Sequence, residues 1–332
     1  MKIFIEGPCW TGQWTEIVAD ALQQAGHTVA INYHNRKNLH DRLVLAGNIL
    51  RPGTSRKTAW IKRHRRQLLE AMSHEPWDIL LSIQGTVDRQ TLQQCRQHSP
   101  DLKVFFWWGD ILTKQARTRI NQAAEFSERL LVSSRGTFDQ LSPRYPNQLR
   151  YLPFGVSRRF HTVNNISAQE RQRFSSEVAF VGTCYPERCE LIRHLNTQLD
   201  VPVSVWGRGW RHCKGIRSRS ALSLADSLKV HACAKVSLNL HHADTNNGFN
   251  MKFYEIPAAG GFQICDWQPL LNETALGRQT VACRSVTEFA EKTNYFLTHE
   301  QQRQQTIAAI LQTIFTTEDY SSRLAGIFKH PS

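Results

Sequence analysis

Apolar residues along this chain fall into short runs, and between the runs polar and apolar positions alternate with helical spacing. "MKIFIEG" reads as a first strand, and "TEIVADALQQA" from Thr15 to Ala25 as a helix that stops at a glycine before the strand "GHTVAINY". "WDILLSIQG", "LKVFFWWGD", "RLLVSS" and "LRYLPFGV" predict four further strands, with "DRQTLQQCRQH" a helix between the first two of them. Strands alternating with helices predict a parallel sheet with helices on both faces. Strand character is then lost over Gly155–Ser176, and the pattern restarts. "SSEVAFVGTCYPERCELIRHL" is strand, loop and helix; "PVSVWGRGW" is strand and loop; "LADSLKVHACAKVSLNLHH" is helix, then strand. "NGFNMKFYEIPAAGGFQICDW" follows as a polar turn, a helix, a double-glycine stop and another strand. "TVACRS" is a late strand, and the chain is helical from there to near its end.

The expected fold is therefore α/β, with two Rossmann-like doubly wound domains facing each other across an interdomain cleft. Residues 1–155 would form the first and 156–332 the second, and the last helix could pack back on the first. A chain of 332 residues fits two such cores. Ligands of open α/β sheets bind beyond the carboxyl ends of the strands. Chemistry is thus expected in the loops after "FIEG", "FFWWGD", "AFVGT", "SVWGRGW" and "SLNLHH".

Composition narrows the classes. No apolar run approaches the ~20 residues of a membrane span, and the run at "MKIFIEG" is too short for the core of a secretory leader. The eight cysteines contain no CxxC, and the spacing of Cys184 and Cys189 has no second pair to complete a zinc site. Reduced thiols in a cytoplasmic protein are the expectation. The net charge of +13 calls for an anionic partner: nucleotide phosphates, nucleic acid, an anionic membrane surface or an acidic polymer. Arg51–Gln67 alone holds seven Lys/Arg and no acid. With Trp60 and Ile61 interleaved, this run reads as a solvated helix face, a substrate-binding patch or a peripheral membrane contact. A second basic cluster spans Trp206–Ser220. No specific nucleic-acid partner is expected, since no reader motif is present.

Several residues could carry chemistry. Asn246, Asn247 and Gly248 are turn and cap types, so a helix should begin near Gly248–Asn250, its first-turn N–H groups forming an anion site. Lys252 would add positive charge, and Glu255 could offer two acceptors to a ribose diol. The alternative is an amphipathic helix with a surface Lys and Glu. Gly182 and Thr183 follow a strand, and Arg188 could fork onto a diphosphate or lie on the surface. Gly207 allows close approach, while Trp206 or Trp210 could stack on a base. Asn239 ends a strand; His242 could bond a ligand hydroxyl or move a proton, and His241 reads more readily as a surface histidine. Asp110 could activate a hydroxyl or cap the helix "DILTKQARTRI". Trp10, Thr11 and Gly12 sit in a loop that could approach ligand phosphates or a second substrate, or simply form a rigid βα turn packed by tryptophans. No metal-ligand spacing is present, and neither metal nor other cofactor is expected.

"EVAFVGTCYPER", "VSVWGRGW", "AKVSLNLHH" and "GFNMKFYEIPAAGGFQICD", in this order and spacing, resemble the spore-coat-type (CgeB-like) glycosyltransferases. "DILLSIQG", "KVFFWWGD", "RYLPFGV" and "YSSRLAGIF" extend the resemblance more loosely along the chain. It implies the GT-B fold and sugar transfer from a nucleotide diphosphate sugar. The donor would bind the C-terminal domain, and an acceptor (glycan, protein or lipid-linked) the N-terminal domain. It also implies that Glu255 meets the ribose, Lys252 the phosphates, and Gly182 and Arg188 the donor. Where many retaining GT-B enzymes carry a second acid, eight positions before the glutamate, this sequence has Asn247. A sugar-nucleotide epimerase or hydrolase on the same fold is one alternative. A basic non-enzymatic protein that binds nucleic acid or an anionic polymer is the other.

Overall fold

The computed structural model describes residues 1–9, 12–35 and 54–328, with side chains excepted at 54–60. Trp10 and Thr11 lie outside the described residues, as does the start of the Arg51–Gln67 run. The chain divides into two compact units: Met1–Ser133 with Thr137–Leu152, and Ser134–Gly136 with Pro153–Ser332.

The first unit is built on β1 (Lys2–Gly7), β2 (Thr28–Tyr33), β3 (Ile79–Ile83), β4 (Lys103–Trp108), β5 (Arg129–Val132) and β6 (Leu149–Tyr151). All neighbours are parallel, in the order β2-β1-β3-β4-β5-β6. The apolar strands are the central ones, because helices cover both faces: Ile3, Ile5, Leu80, Leu81, Ile83 and Val104 are fully buried. Glu6 is the exception in that core. It ends β1 between Ser82 Oγ (2.7 Å), Thr86 N–H (2.6 Å) and Thr86 Oγ1 (2.9 Å), all donating to its carboxylate. A side chain at Gly85 would collide with it, at 2.0 Å from Glu6 Oε2.

The second unit is built on β7 (Ser176–Val181), β8 (Val203–Trp206), β9 (Ser218–Arg219), β10 (Ala234–Asn239), β11 (Gln263–Asp266) and β12 (Val281–Cys283). Its order is β12-β11-β10-β7-β8-β9, again all parallel. From β7 the chain winds outward through β8 and β9, then returns to the other side of β7 through β10, β11 and β12. The strand order therefore reverses between β7 and β10. In an open α/β sheet the loops leaving such a pair of carboxyl ends part and leave a crevice. Val178, Phe180, Val236, Leu238 and Ile264 form the core beneath it.

Three local readings are corrected. The helix after β4 runs over Lys114–Ala124 and is capped by Thr113, whose side chain accepts from Ala116 N–H, so Asp110 is not its cap. The basic segment after Trp206 is not all loop: Ser218–Arg219 pairs with β8 as an edge strand. Cys189 and Cys213 are joined in a disulfide, with Cα atoms 5.8 Å apart, and so are not free thiols. Two helices occupy the stretch between the sheets, Arg158–His161 and Ala168–Phe174. The second opens on a capping box of Ser167 and Glu170, and Lys229 from the helix Leu224–Cys233 also bonds the Glu170 carboxylate.

Candidate functional site

The helix Met251–Ala258 joins β10 to β11 and begins beside the end of β10. Asn250 caps it: the Asn250 side chain accepts from Phe253 N–H (3.0 Å) and donates its amide N–H to Asn239 Oδ1 (2.9 Å). Met251 and Lys252 are in the first turn, where N–H groups have no intrahelical acceptor. Asn247, at φ 44°, turns the chain toward the cap, and its Oδ1 accepts from Leu270 N–H (2.7 Å). Where the resemblance puts a second acid, this amide thus anchors the turn Pro269–Asn272. Gly248 packs so closely on Ser134 that an added Cβ would lie 2.8 Å from Ser134 Oγ.

Glu255 is 1 % exposed. Its Oε2 holds Lys252 Nζ at 2.5 Å, and Lys252 Nζ also donates to Ser227 Oγ at 2.9 Å. The carboxylate is therefore not displayed as an open pair of acceptors, and the amphipathic-surface alternative does not describe it either. It is a buried acid with one oxygen clamped by a half-exposed lysine. His161 lies in the same neighbourhood. Burial pulls its pKa below the ordinary histidine value, against the opposing pull of Glu255.

Across the crevice, the loop after β7 holds Gly182, Thr183 and, at the start of the helix Pro186–Gln198, Arg188. Arg188 bridges the two sides: it donates to Thr183 O (3.1 Å) and to Leu240 O (2.6 Å), between the faces of Phe180 and Tyr185. Burial pulls this guanidinium below the ordinary arginine value, against the nearby Tyr185, Glu187 and Asp266. Arg188 thus ties the switch point together, with Nε buried and without a partner among the described residues. Gly207 is a glycine because the β7 and β8 loops touch: its Cβ, at φ 148°, would stand 1.9 Å from Gly182 O, whereas a Cβ on Gly182 would press on the Phe180 ring at 2.9 Å. Trp210 Nε1 donates to the same carbonyl at 2.9 Å. Trp206 and Trp210 are 2 % and 1 % exposed, so neither ring is available to stack on a base. Alternation along β8 buries Trp206 against Phe174 and Val230, and Arg219 covers its face at 5.0 Å. The exposed aromatic at this edge is Tyr185.

His241 and His242 end β10 differently. His242 is partly exposed: its Nδ1 accepts from Asp244 N–H (3.1 Å), and its ring meets Tyr185 edge to face. His241 is not a surface residue. It is buried beside Phe249 and Phe253, and both its backbone N–H (2.7 Å) and its Nδ1 (2.9 Å) bond Asp266 Oδ1. Burial would raise the Asp266 pKa, but the hydrogen bonds from His241 outweigh it and hold the carboxyl below its ordinary value. The pairing of His241 with Asp266 has one sequence signal, missed above: residue 241 continues the in-facing alternation of Ser237 and Asn239.

In the first unit, Asp110 is exposed after β4 and accepts from Ile111 N–H at 2.8 Å. Gly12 lies in the turn before the helix Trp14–Gln24. From the basic run, Arg65 is drawn to the Asp88 carboxylate and donates to Thr86 O (2.9 Å). Among the described residues, no three His, Cys, Asp or Glu side chains gather as a metal site, and no helix is long and apolar enough to cross a membrane.

Two parallel six-stranded sheets, each with its own helices, define the GT-B architecture, and solved structures of that architecture align along nearly the whole chain. The Anabaena HepE structure in complex with UDP-glucose is 11 % identical, with 98 % of this chain and 97 % of that one covered at a TM-score of 0.64. Sucrose-phosphate synthase from Thermosynechococcus elongatus is 13 % identical, with 99 % and 98 % covered at 0.65. A putative UDP-N-acetylglucosamine 2-epimerase from Listeria monocytogenes is 10 % identical, with 98 % and 94 % covered at 0.53. In sequence, residues 188–329 match the family described as glycosyl transferase-like, a stretch that begins at Arg188 and contains the whole helix Met251–Ala258. No curated protein sequence matches the chain.

Proposed function

We propose that this protein is a glycosyltransferase that moves a sugar from a nucleotide diphosphate sugar to a hydroxyl or other nucleophile of a glycan, protein or lipid-linked acceptor, without a resident metal ion. The observation that carries the reading is the switch-point crevice of the second sheet. There a capped helix start, Lys252 and the buried Glu255 stand together inside the glycosyl transferase-like segment. First-turn N–H groups and Lys252 would meet the leaving diphosphate as its negative charge grows. The Glu255 oxygen not held by Lys252 would accept from the ribose. Gly182, Thr183, Arg188, Gly207, Asn239, Asn247, Gly248 and Asn250 shape the donor loops, and His242 reaches a sugar hydroxyl from the rim. Tyr185 takes the stacking role that Trp206 cannot. The acceptor belongs to the first unit, with Asp110 as base if the reaction inverts. The order of the four C-terminal motifs supports the spore-coat-type branch, and the reading places the enzyme in the cytoplasm, where nucleotide sugars are made. HepE supports a UDP-sugar donor through its bound UDP-glucose.

The test is a thermal-shift panel of UDP-, GDP-, dTDP-, ADP- and CMP-sugars. At a hundredfold excess over Kd, a bound donor stabilises by about 2.7 kcal/mol. One nucleotide class should raise the melting temperature, and Glu255→Ala should abolish the shift. A flat response to the whole panel would refute the reading. The epimerase neighbour keeps a second chemistry in play on this fold. Conversion of the donor sugar with no acceptor present would favour it.

A further inference from the structure

Two buried polar atoms at the end of β10 have no hydrogen-bond partner among the described residues: Asn239 Nδ2 and His241 Nε2. Neither residue is more than 5 % exposed. Their orientations follow from their neighbours. Asn250 Oδ1 is taken by Phe253 N–H, so the Asn250 amide nitrogen is what donates to Asn239 Oδ1. Asn239 is then fixed with Oδ1 accepting and Nδ2 as an unused donor. His241 gives Nδ1–H to Asp266, so Nε2 is the free end of the ring. In the neutral ring Nε2 can only accept; in the imidazolium it donates.

The surroundings decide between the two. Asn239 Nδ2 is a donor, as are the first-turn N–H groups of Met251 and Lys252. Asn239 touches the helix cap, and the His241 ring lies 6.1 Å from Phe249 and 6.4 Å from Phe253, on either side of that cap in sequence. A ligand that satisfies these groups together must be rich in acceptors. The Asp266 carboxylate behind the ring takes Nδ1–H and so fixes Nε2 as the ring atom left for such a ligand.

We infer that Asn239 and His241, with Asp266 orienting His241, form a hydrogen-bonding site for a phosphate group at the switch point of the second sheet. Asn239 Nδ2–H donates to a phosphate oxygen and His241 Nε2 hydrogen bonds the same group, close to the leaving group of a nucleotide sugar. The inference rests on the proposed function only for the identity of the whole ligand; the phosphate site stands on its own geometry.

The experiment is calorimetric titration of the full chain with pyrophosphate, with UDP, GDP, ADP and dTDP, and with uridine as a nucleoside lacking phosphate. It is run on the wild type and on His241→Gln, Asp266→Asn and Asn239→Ala, each checked by its thermal transition. Loss of one charge-assisted hydrogen bond should weaken the preferred nucleoside diphosphate roughly 10- to 100-fold in His241→Gln. Asp266→Asn should weaken it less, and uridine should bind all folded variants as it binds the wild type. Unchanged diphosphate binding in His241→Gln, or an equal loss for uridine, overturns the inference and leaves the proposed function standing. Pyrophosphate binding that depends on His241, with no nucleotide bound by the wild type, upholds the inference and removes the proposed function. If His241→Gln does not fold, Asp266→Asn and Asn239→Ala decide by the same comparison. A wild type that binds neither pyrophosphate nor nucleotide overturns both.

Discussion

Replacing Lys252 with methionine keeps most of the side-chain volume and removes the charge opposite Glu255. The carboxylate is 1 % exposed and has Lys252 Nζ at 2.5 Å, so the substitution leaves a buried anion without its counter-charge. Breaking a fully buried pair in this way costs about 3–5 kcal/mol. The Lys252 side chain is 28 % exposed, so water can reach the vacated position, and the expected loss falls to about 2–3 kcal/mol. For a unit of this size that lowers the melting temperature by roughly 5–10 °C. Glu255→Gln should cost no more than about 1 kcal/mol, because the amide oxygen still accepts from Lys252 and no charge is left buried. In the double variant Lys252→Met with Glu255→Gln, part of the Lys252→Met loss should return, since the uncompensated anion is gone. The assay is differential scanning calorimetry of the four proteins, followed on the transition that Lys252→Met moves. If the two single losses are equal and simply add in the double variant, the pair is not coupled and the reasoning fails.

Further predictions concern the frame of the site. Gly207→Ala should destabilise the β8 loop and abolish nucleotide binding, because its Cβ would stand 1.9 Å from Gly182 O at a positive φ; a variant with wild-type melting would contradict the packing. Arg188→Lys should lower stability by about 1–2 kcal/mol, since one ammonium cannot span both Thr183 O and Leu240 O; urea unfolding measures it. The hydrogen bond from Lys229, with those from Ser167, holds the Glu170 carboxyl at about 2, against an ordinary value of 4.5. Its contribution to stability is therefore present above the ordinary value and lost as pH falls through the lower one. A carboxyl NMR titration should find this low midpoint in the wild type and a higher one in Lys229→Met.

Much of this architecture is legible in the sequence because central parallel strands must be apolar on both faces, and "KIFIEG", "DILLSI" and "EVAFVG" are. The helix Met251–Ala258 was legible at both ends, from its Asn250 cap and its glycine stop. What eluded sequence reasoning are properties of contacts rather than of residue types. Two-residue β9 has no pattern to read, and exists because Ser218–Arg219 falls against β8. Trp206 looks like a base platform until the alternation of β8 turns it into the core. His241 looks like half of a surface pair until Asp266, 25 residues further on, is brought to it. Glu6 reads as an ordinary strand end, and only the fold supplies Ser82 and Thr86, 76 and 80 residues away, to hold it.

Ser134–Gly136 belongs to the second unit although Thr137–Leu152 belongs to the first. Gly136 N–H lies 3.1 Å from both Asn246 O and Asn247 O, and Ser134 Oγ donates to Asn246 O at 2.7 Å. The bend that leads into the proposed sugar-nucleotide helix is thus tethered by three residues translated more than a hundred positions earlier. A polypeptide beginning at Pro153 would keep all of the second sheet and still lack that tether. Grafting this lobe onto a foreign partner, as a modular exchange would attempt, has to carry the tripeptide along or supply its donors anew.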